Sequence, residues 1–330
     1  MKKVAVVGFG HMGMTHTLKL MEMKDVELVA IVTRNIAGIS TKLHAEIGNF
    51  STGKLEEEAL GSIRKYSSLE SCLAAETLDA VHICVHTDLH FELTKMALSA
   101  GINVFLEKPM VLDIPQGEAL IEWAAHHQCL LMVGQVVRFM PPYEQLKSWV
   151  DSREFGKLKF LSLSRFSGLP AWGQWKEKQE QFGSSGGALF DLLIHDIDYA
   201  HYLLGMPDKI ESTILPGSLS RHDYVSAFWT YPETTVKIEG GNTFHTGFPF
   251  QAGFMATFEM ASVHYTTLKP DIIHLSENGA TSEVATGVGP DGFYKEIDYF
   301  YQCLENGEQP TKCMPQSALD TIRLCYRHID

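Results

Sequence analysis

The sequence lacks three features that would each point to a particular class of protein. Its six cysteines form no CxxC pair and no cysteine–histidine cluster with zinc spacing, so we predict reduced thiols and no metal site. No basic stripe offsets the formal net charge of −13, which argues against binding to nucleic acid or to anionic membranes. No apolar run approaches the ~20 residues of a membrane helix, and glycines interrupt the N-terminal apolar segment too early for a signal peptide. We therefore expect a cytoplasmic protein.

The length of 330 residues and the pattern of apolar runs indicate two domains. Over residues 1–134, apolar runs such as Val4–Val7 alternate with helical segments such as 89–100. This alternation predicts an α/β domain with a doubly wound parallel sheet. Over residues 135–330, segments such as "KFLSLSRF" (159–166) alternate apolar and polar residues, and most predicted strands follow one another directly. This second pattern predicts an α+β domain with an open, mostly antiparallel sheet.

A glycine-rich turn follows the first predicted strand and opens a helix. In "VAVVGFGHMG", Gly8, Gly10 and Gly13 have the G-x-G-x-x-G spacing of a dinucleotide-binding turn, in the required strand–turn–helix context. The first glycine permits the tight turn, the second lets the backbone approach a pyrophosphate, and the third lets helix and strand pack closely. The anion would lie at the helix N-terminus. We therefore predict a Rossmann domain whose turn binds the cofactor through Gly8, Phe9, Gly10, His11, Met12 and Gly13.

The end of the second predicted strand, "AIVTRN", bears on the choice between NAD and NADP. An NAD-binding fold usually places a carboxylate about 20 residues beyond the glycines, where it binds the ribose 2′-hydroxyl. Here Thr33 and Arg34 occupy that place, and no carboxylate is present. A hydroxyl and a guanidinium suit a 2′-phosphate, which favours NADP over NAD. Alternatively, Arg34 stacks on the adenine, which would serve NAD equally well.

The segment "FLEKPM" (105–110) ends a predicted buried strand with a charged pair and a proline. Ligands of open α/β sheets bind at the carboxyl ends of the strands, so we expect Lys108 to point at the ligand. Pro109 biases Lys108 towards an extended backbone. Glu107 would pair with a nearby cation or with a cofactor hydroxyl. The competing interpretation is a surface ion pair at a strand end.

Four ordered motifs together resemble the glucose–fructose oxidoreductase / inositol dehydrogenase (Gfo/Idh/MocA) family. They are the glycine turn, "ICVHTDLH" (83–90), "EKP" (107–109) and "SSGGALFDLLIHDIDYAHYLLG" (184–205), in which Asp191 and His195 stand four apart. The resemblance covers essentially the whole chain. It implies NAD(P)-dependent hydride transfer at a carbinol or carbonyl carbon of a sugar, polyol or related small molecule. It also implies a homodimer or homotetramer formed through the second domain.

The resemblance further implies a catalytic triad of Lys108, Asp191 and His195. An imidazole titrates near neutrality, so His195 suits the general base. Asp191 would orient that imidazole or share the substrate hydroxyl. Lys108 would stabilise the developing alkoxide. The stretch 187–204 predicts one helix with a polar face formed by Asp191, His195, Asp198 and Tyr202.

Further site residues are expected around this triad. On the cofactor side, we expect Val85, His86, Thr87, His90, Glu107, Lys108 and Gln135 to contribute. His86 stands where proline is common in the family, and we assign it no proton transfer. On the substrate side, we add Arg138, Trp172 and His245 to the triad. Trp172 belongs to a loop that either lines a sugar site or is anchored by its tryptophans.

Two alternatives belong to other functional classes. A non-catalytic nucleotide-sensing regulator on the same fold would be expected to lose the triad. A glycosidase-like hydrolase would keep NAD tightly bound and would show no net turnover of added cofactor. Among dehydrogenases, a reductase of the dihydrodiol or biliverdin type is a further alternative. The sequence does not name the substrate, because specificity rests on loop geometry.

Overall fold

The computed structural model describes residues 1–43, 55–169, 186–287 and 289–329. By contacts between residues, the described chain forms two compact units. The first unit contains Met1–Gln135 and Phe293–Leu319. The second contains the remaining described residues, including the final segment from Asp320. The predicted division at residues 134 and 135 stays a prediction, and the contacts add that a late segment groups with the first 135 residues.

The first unit is built on a six-stranded sheet in the order β3-β2-β1-β4-β5-β6. Every neighbouring pair is parallel. This order is that of a Rossmann fold, which confirms the predicted α/β class. The strands are β1 (Lys2–Val7), β2 (Val26–Val32), β3 (Arg64–Tyr66), β4 (Ala80–Ile83), β5 (Asn103–Leu106) and β6 (Leu131–Val133). The short edge strand β3 was not predicted, because "RKY" carries no apolar run.

Helices connect these strands as the alternating pattern predicts. They are α1 (His11–Glu22), α2 (Ile39–Leu43), α3 (Leu69–Ala75), α4 (His90–Ser99) and α5 (Ile114–His126). Two of them begin at a side-chain cap: Ser68 accepts a hydrogen bond from the Ser71 amide, and Asp113 accepts one from the Gln116 amide. The sheet and helices enclose an apolar core in which Val81, Val104 and Leu131 are buried.

The second unit is built on an eight-stranded sheet in the order β14-β13-β12-β11-β7-β10-β9-β8. Only the β7–β10 pair is parallel, which confirms the predicted mostly antiparallel sheet. Along β9 buried and more exposed residues alternate, as expected for a sheet with one covered face. The strands are β7 (Leu158–Gly168), β8 (Lys209–Leu215), β9 (Tyr224–Thr230), β10 (Thr235–Phe244), β11 (Gln251–Phe258), β12 (Ala261–Thr266), β13 (Ile272–Glu277) and β14 (Ala280–Ala285).

Within the described residues, four further α-helices are α6 (Pro141–Ser152), α7 (Ile194–Leu204), α8 (Gly292–Asn306) and α9 (Pro315–Arg327). A wider π-helical turn, Leu189–Leu193, precedes α7. The prediction of one regular helix over 187–204 is therefore wrong at this turn, which changes the faces on which later residues lie. Among the described residues, no helix combines the length and the apolar character needed to cross a bilayer.

Candidate active site

The glycine turn has the backbone that its spacing predicts. Gly8 has a φ of +96°, and a Cβ there would lie 2.2 Å from the Cys84 carbonyl oxygen. A Cβ on Gly13 would lie 2.0 Å from the Gly8 carbonyl oxygen, so helix α1 packs directly on the turn. A Cβ on Gly10 would meet no atom within 4 Å. The first and third glycines are therefore required by packing, whereas the second faces open space.

Helix α1 begins at this turn without a capping side chain. Gly10 is its N-cap, and the first helical turn contains no acidic residue. The N-terminal amides and the helix dipole therefore favour an anion at this end. The chemistry of the turn fits a cofactor pyrophosphate. Contacts of Phe9, His11 and Met12 with that cofactor stay predictions.

The other predicted cofactor residues follow the same edge of the sheet. The Gly8 amide donates to the Val32 carbonyl (2.8 Å), which places Thr33 beside the turn. The Glu107 amide donates to Ile83 (3.0 Å), and the Gly134 amide donates to Leu106 (2.8 Å). The carboxyl ends of β1, β2, β4, β5 and β6 thus meet at one edge. Thr33 is buried there, whereas Arg34 is exposed.

Gln135 lies at the end of β6 with its side chain buried (2% exposed). Within the described residues, neither its amide nitrogen nor its amide oxygen has a hydrogen-bond partner. A buried primary amide without partners is costly, so it calls for a ligand that offers both a donor and an acceptor. A nicotinamide carboxamide offers both, and the residue therefore fits the cofactor that the fold implies.

His90 ties the ends of two strands together. Its Nδ1 lies 2.8 Å from the Pro109 carbonyl oxygen and its Nε2 lies 3.1 Å from the Val85 carbonyl oxygen. Burial lowers the pKa of His90, so the ring is neutral near pH 7 and donates one of these two bonds at a time. His90 thereby holds the segment after Lys108 to the end of β4. The predicted contacts of Val85, His86, Thr87 and His90 with the cofactor stay predictions.

Glu107 does not form a surface ion pair. Its side chain is buried, with Oε1 2.9 Å from His16 Nε2 and Oε2 accepting from the Lys108 amide at 3.2 Å. The sequence pattern gives no signal that His16 is its partner, because His16 lies 91 positions earlier in the chain. One ligand atom each from His16, Glu107 and Glu296 lies within 4.8 Å of the others, and all three residues are buried. The prediction that the chain binds no metal stays a prediction.

Asp191 and His195 are set apart from their neighbours by exposure. From Gly187 to Ala200, these two residues are half-buried and every other residue is buried. Asp191 lies within the π-helical turn, and His195 lies in the first turn of α7. π-Helical turns often occur at functional sites. The second unit thus presents a carboxylate and an imidazole together from an otherwise buried segment.

Gly187 lies at the start of this segment, where the backbone conformation and the packing require a glycine. It has a φ of +72°, and a Cβ there would lie 2.2 Å from Ser220 Oγ. The Ser220 hydroxyl in turn donates to Asp223 Oδ1 (2.5 Å), and Asp223 is fully buried. The glycine is therefore required both by its backbone conformation and by close packing.

Two buried ion pairs hold α7 in place. Arg165 on β7 donates to Asp196 (Nε to Oδ2, 2.7 Å), and Arg138 donates to Asp198 (Nε to Oδ2, 2.7 Å; Nη2 to Oδ1, 2.5 Å). Asp198 therefore does not share an exposed polar face with Asp191 and His195, contrary to the expectation from regular helical spacing. Sequence reasoning missed Asp196 and Arg165. The alternation Leu161, Leu163, Arg165 gave a signal, because it places Arg165 on the covered face.

The predicted substrate residues outside the triad differ in their surroundings. Arg138 is buried, paired with Asp198, and stacked over the Tyr202 ring at 4.7 Å. His245 is exposed after the end of β10. Trp172 lies outside the described residues. Substrate contacts of all three stay predictions, as does the common action of Lys108 in the first unit with Asp191 and His195 in the second.

Comparisons with known proteins agree with these two units. Residues 2–135 match a family model described as an oxidoreductase family with an NAD-binding Rossmann fold, and residues 143–272 match a GFO/IDH/MocA C-terminal domain. The chain is 25% identical over 323 residues to a scyllo-inositol 2-dehydrogenase (NAD(+)) from Bacillus subtilis (strain 168), covering 93% of this chain and 87% of that protein. It is 26% identical over 219 residues to a myo-inositol 2-dehydrogenase from Thermotoga maritima, covering 66% of this chain and 58% of that protein.

A solved structure shows the same fold. The UDP-N-acetylglucosamine 3-dehydrogenase from Acidithiobacillus ferrooxidans superposes with a TM-score of 0.79 at 20% identity. The superposition covers 99% of this chain and 96% of that chain. At this identity the likeness concerns the fold alone.

Proposed function

We propose that this chain, which belongs to the GFO/IDH/MocA family of oxidoreductases, transfers a hydride between a nicotinamide cofactor and a carbinol or carbonyl carbon of a sugar or polyol. One observation carries the proposal: in a segment that is otherwise buried, Asp191 and His195 alone are half-exposed. A general base together with a carboxylate that orients it is what removal of the hydroxyl proton in alcohol oxidation requires of a protein. The open glycine turn and the buried Gln135 amide support the proposal that a nicotinamide cofactor binds to the first unit.

Each residue of the triad has a role set by its charge. In the oxidation direction, His195 accepts the proton of the substrate hydroxyl as the carbinol hydrogen leaves with its electron pair. Asp191 orients the imidazole, and the Lys108 ammonium stabilises negative charge on the reacting oxygen. The nicotinamide, when bound, supplies the hydride acceptor. One substrate molecule thereby yields one carbonyl product, one reduced nicotinamide and one proton, and the reduction direction uses the same groups.

We further propose a preference for NADP. Arg34 is exposed at the end of β2, and Thr33 precedes it beside the glycine turn. An exposed guanidinium meets a 2′-phosphate well, whereas no carboxylate here receives a ribose 2′-hydroxyl. Separate fluorescence titrations with NADPH and NADH, repeated with Arg34→Ala, test this. NADPH should bind at least about tenfold tighter, and the substitution should abolish the difference. Equal or tighter binding of NADH would favour adenine stacking and NAD.

The substrate class is tested by turnover. Some relatives are named as inositol 2-dehydrogenases, and others as a D-glucoside 3-dehydrogenase and a UDP-N-acetylglucosamine 3-dehydrogenase. Inositols, glucosides and nucleotide sugars should therefore be screened with NADP⁺ and NAD⁺. We expect net reduction of added cofactor with at least one polyol or sugar. Hydrolysis of a glycoside without net cofactor turnover would favour a glycosidase. Cofactor binding without any chemistry would favour a nucleotide-sensing regulator. Assembly through the second domain and a cytoplasmic location stay predictions.

A further inference from the structure

Four buried side chains of the first unit form an unbroken hydrogen-bonded chain. Tyr301 Oη on α8 lies 2.7 Å from His82 Nε2 on β4. His82 Nδ1 lies 2.8 Å from His16 Nδ1 on α1, and His16 Nε2 lies 2.9 Å from Glu107 Oε1. The second oxygen of Glu107 accepts from the Lys108 amide at 3.2 Å. We call Tyr301, His82, His16 and Glu107 the Glu107 relay.

Aromatic rings surround the two histidines of the relay, and one further polar group, the buried carboxyl group of Glu296, lies within 4.8 Å of ligand atoms of His16 and Glu107. His16 and His82 are fully buried, and the Phe105 ring stacks on His82 with a centroid distance of 4.8 Å. The same ring meets His16 edge to face at 5.0 Å, and Phe300 lies 5.8 Å from His82. A buried polar group that loses its partner in such surroundings costs the full penalty of removing it from water. Each member of the relay therefore fixes the next.

The chemistry of the groups sets the direction of these bonds. An ionised Glu107 only accepts, so His16 donates from Nε2. With the His16 proton on Nε2 alone, Nδ1 accepts, which requires His82 to donate from its own Nδ1. His82 is left to accept at Nε2 from the Tyr301 hydroxyl. Burial is the main cause that keeps the pKa of His82 well below its ordinary value, and the neighbouring His16 lowers it further. The lowered pKa agrees with a neutral His82 ring.

We propose that the Glu107 relay is a positioning device that fixes the backbone at Lys108 from helix α8. Glu107 is then a positioning residue, bound to protein groups through both of its oxygens. The effect on catalysis rests on the proposed function, because it acts through Lys108. The structure of the relay does not rest on it, since the direction of the hydrogen bonds can be observed without any substrate.

The first test is the protonation state of the two histidines in the full-length protein. Nitrogen NMR of histidine-labelled protein distinguishes a ring protonated at Nδ1 from one protonated at Nε2 and from a charged ring. We expect His16 protonated at Nε2 and His82 protonated at Nδ1 near pH 7. The opposite pair would overturn the relay. A cation held by His16, Glu107 and Glu296 would produce that reversal, because a metal on His16 Nε2 leaves its Nδ1 to donate.

The second test removes one hydroxyl from the far end of the relay. Tyr301→Phe deletes the donor to His82, whereas Tyr299→Phe is the matched control on the same helix, where the hydroxyl contacts Lys312 and Thr311. We expect Tyr301→Phe to lower kcat about tenfold with KM and the cofactor Kd changed less than about twofold, because Lys108 is misplaced but binding is retained. We expect Tyr299→Phe to change none of these more than about twofold.

The two tests separate failure of the relay from failure of the proposed function. Unchanged kcat in Tyr301→Phe, measured well below its unfolding temperature, would overturn the positioning role even if the variant is less stable. A wild-type protein without dehydrogenase activity would overturn the proposed function, and the NMR result would still decide the direction of the relay. Should Tyr301→Phe fold poorly, His82→Gln, with an amide in place of the ring, provides a second interruption of the chain.

Discussion

At the scale of single residues, burial decides which charged groups matter for stability. The Arg138–Asp198 pair is 1% exposed on both sides, whereas the Lys147–Asp151 pair is 23% and 58% exposed. Removing one partner of a buried pair leaves an uncompensated charge. Denaturant unfolding should therefore show a loss of about 3–5 kcal/mol for Asp198→Asn. The control Asp151→Asn should lose less than about 1 kcal/mol. If Asp198→Asn lost as little free energy of unfolding as Asp151→Asn, the Arg138 guanidinium would have to be solvated.

The buried His328 leads to a prediction about how the stability of the fold depends on pH. The Trp229 indole donates to its Nε2 (3.0 Å), and its Nδ1 lies 2.8 Å from the Leu324 carbonyl oxygen. Burial lowers the pKa of His328 to about 4. The unfolded chain, with a histidine pKa of about 6.5, thus binds more protons between these values, so the folded state loses stability as pH falls from about 6.5 to about 4. The contribution of this residue to that loss is about 3 kcal/mol.

The measurement is the free energy of unfolding at several pH values. His328→Gln cannot titrate, so the slope of its free energy of unfolding against pH should fall in this range by an amount equivalent to at most one proton. Above pH 7 the slope should change little. His82 and His90 are also buried with lowered pKa values, so the variant should keep part of the slope. An unchanged slope would show that His328 binds protons equally in the folded and unfolded states.

At the scale of elements, the glycine turn separates packing from binding. Gly13→Ala places a methyl group against the Gly8 carbonyl and should strongly destabilise the fold. Gly10→Ala meets no neighbouring atom and has an ordinary extended φ of −94°. We expect it to unfold at nearly the wild-type temperature but to bind NAD(P)H at least about tenfold more weakly, because the methyl group fills the approach of the pyrophosphate. Wild-type affinity in a folded Gly10→Ala protein would place the cofactor elsewhere.

The elements that the sequence predicts are those that a local pattern encodes. The apolar runs of β1, β2, β4 and β5 and the alternation in β7 could be recognised because burial repeats with the period of the strand. The π-helical turn at Leu189–Leu193 could not, because one extra residue in a turn leaves the apolar content unchanged. The Glu107 relay could not either, since Tyr301 and His82 are 219 positions apart. Asp191 and His195 were found through motif spacing.

At the scale of the whole molecule, the chain passes from the first unit to the second more than once. Residues 293–319 group with the first 135 residues, and α9 runs from the first unit into the second at residues 319 and 320. No composition change marks that return, so the sequence suggested a single division. The late segment contributes Tyr301 to the Glu107 relay. It also contributes Leu319, which packs so closely on Gly117 that a Cβ on this glycine would lie 2.5 Å from Leu319 Cδ1. The first unit is therefore complete only with residues from near the end of the chain.

This division of the molecule predicts that binding and turnover respond to different variants. The predicted cofactor residues up to Gln135 belong to the first unit, whereas Asp191 and His195 belong to the second. His195→Asn should therefore lower kcat by about 10²–10⁴-fold, because the general base is lost. Its affinity for NAD(P)H should stay within about twofold of wild type. Stopped-flow turnover and fluorescence titration on the same preparations provide the two numbers.

Arg34→Ala is the reciprocal variant, because Arg34 is predicted to bind the cofactor and takes no part in the proposed proton transfer. At saturating cofactor it should retain a kcat within about threefold of wild type, while the Kd of its preferred cofactor rises at least about tenfold. Loss of cofactor binding in His195→Asn would contradict the separation, since it would show that the second unit itself holds the nicotinamide nucleotide. A kcat unaffected in His195→Asn would instead remove this residue from the chemistry and leave Asp191 or Lys108 as the base.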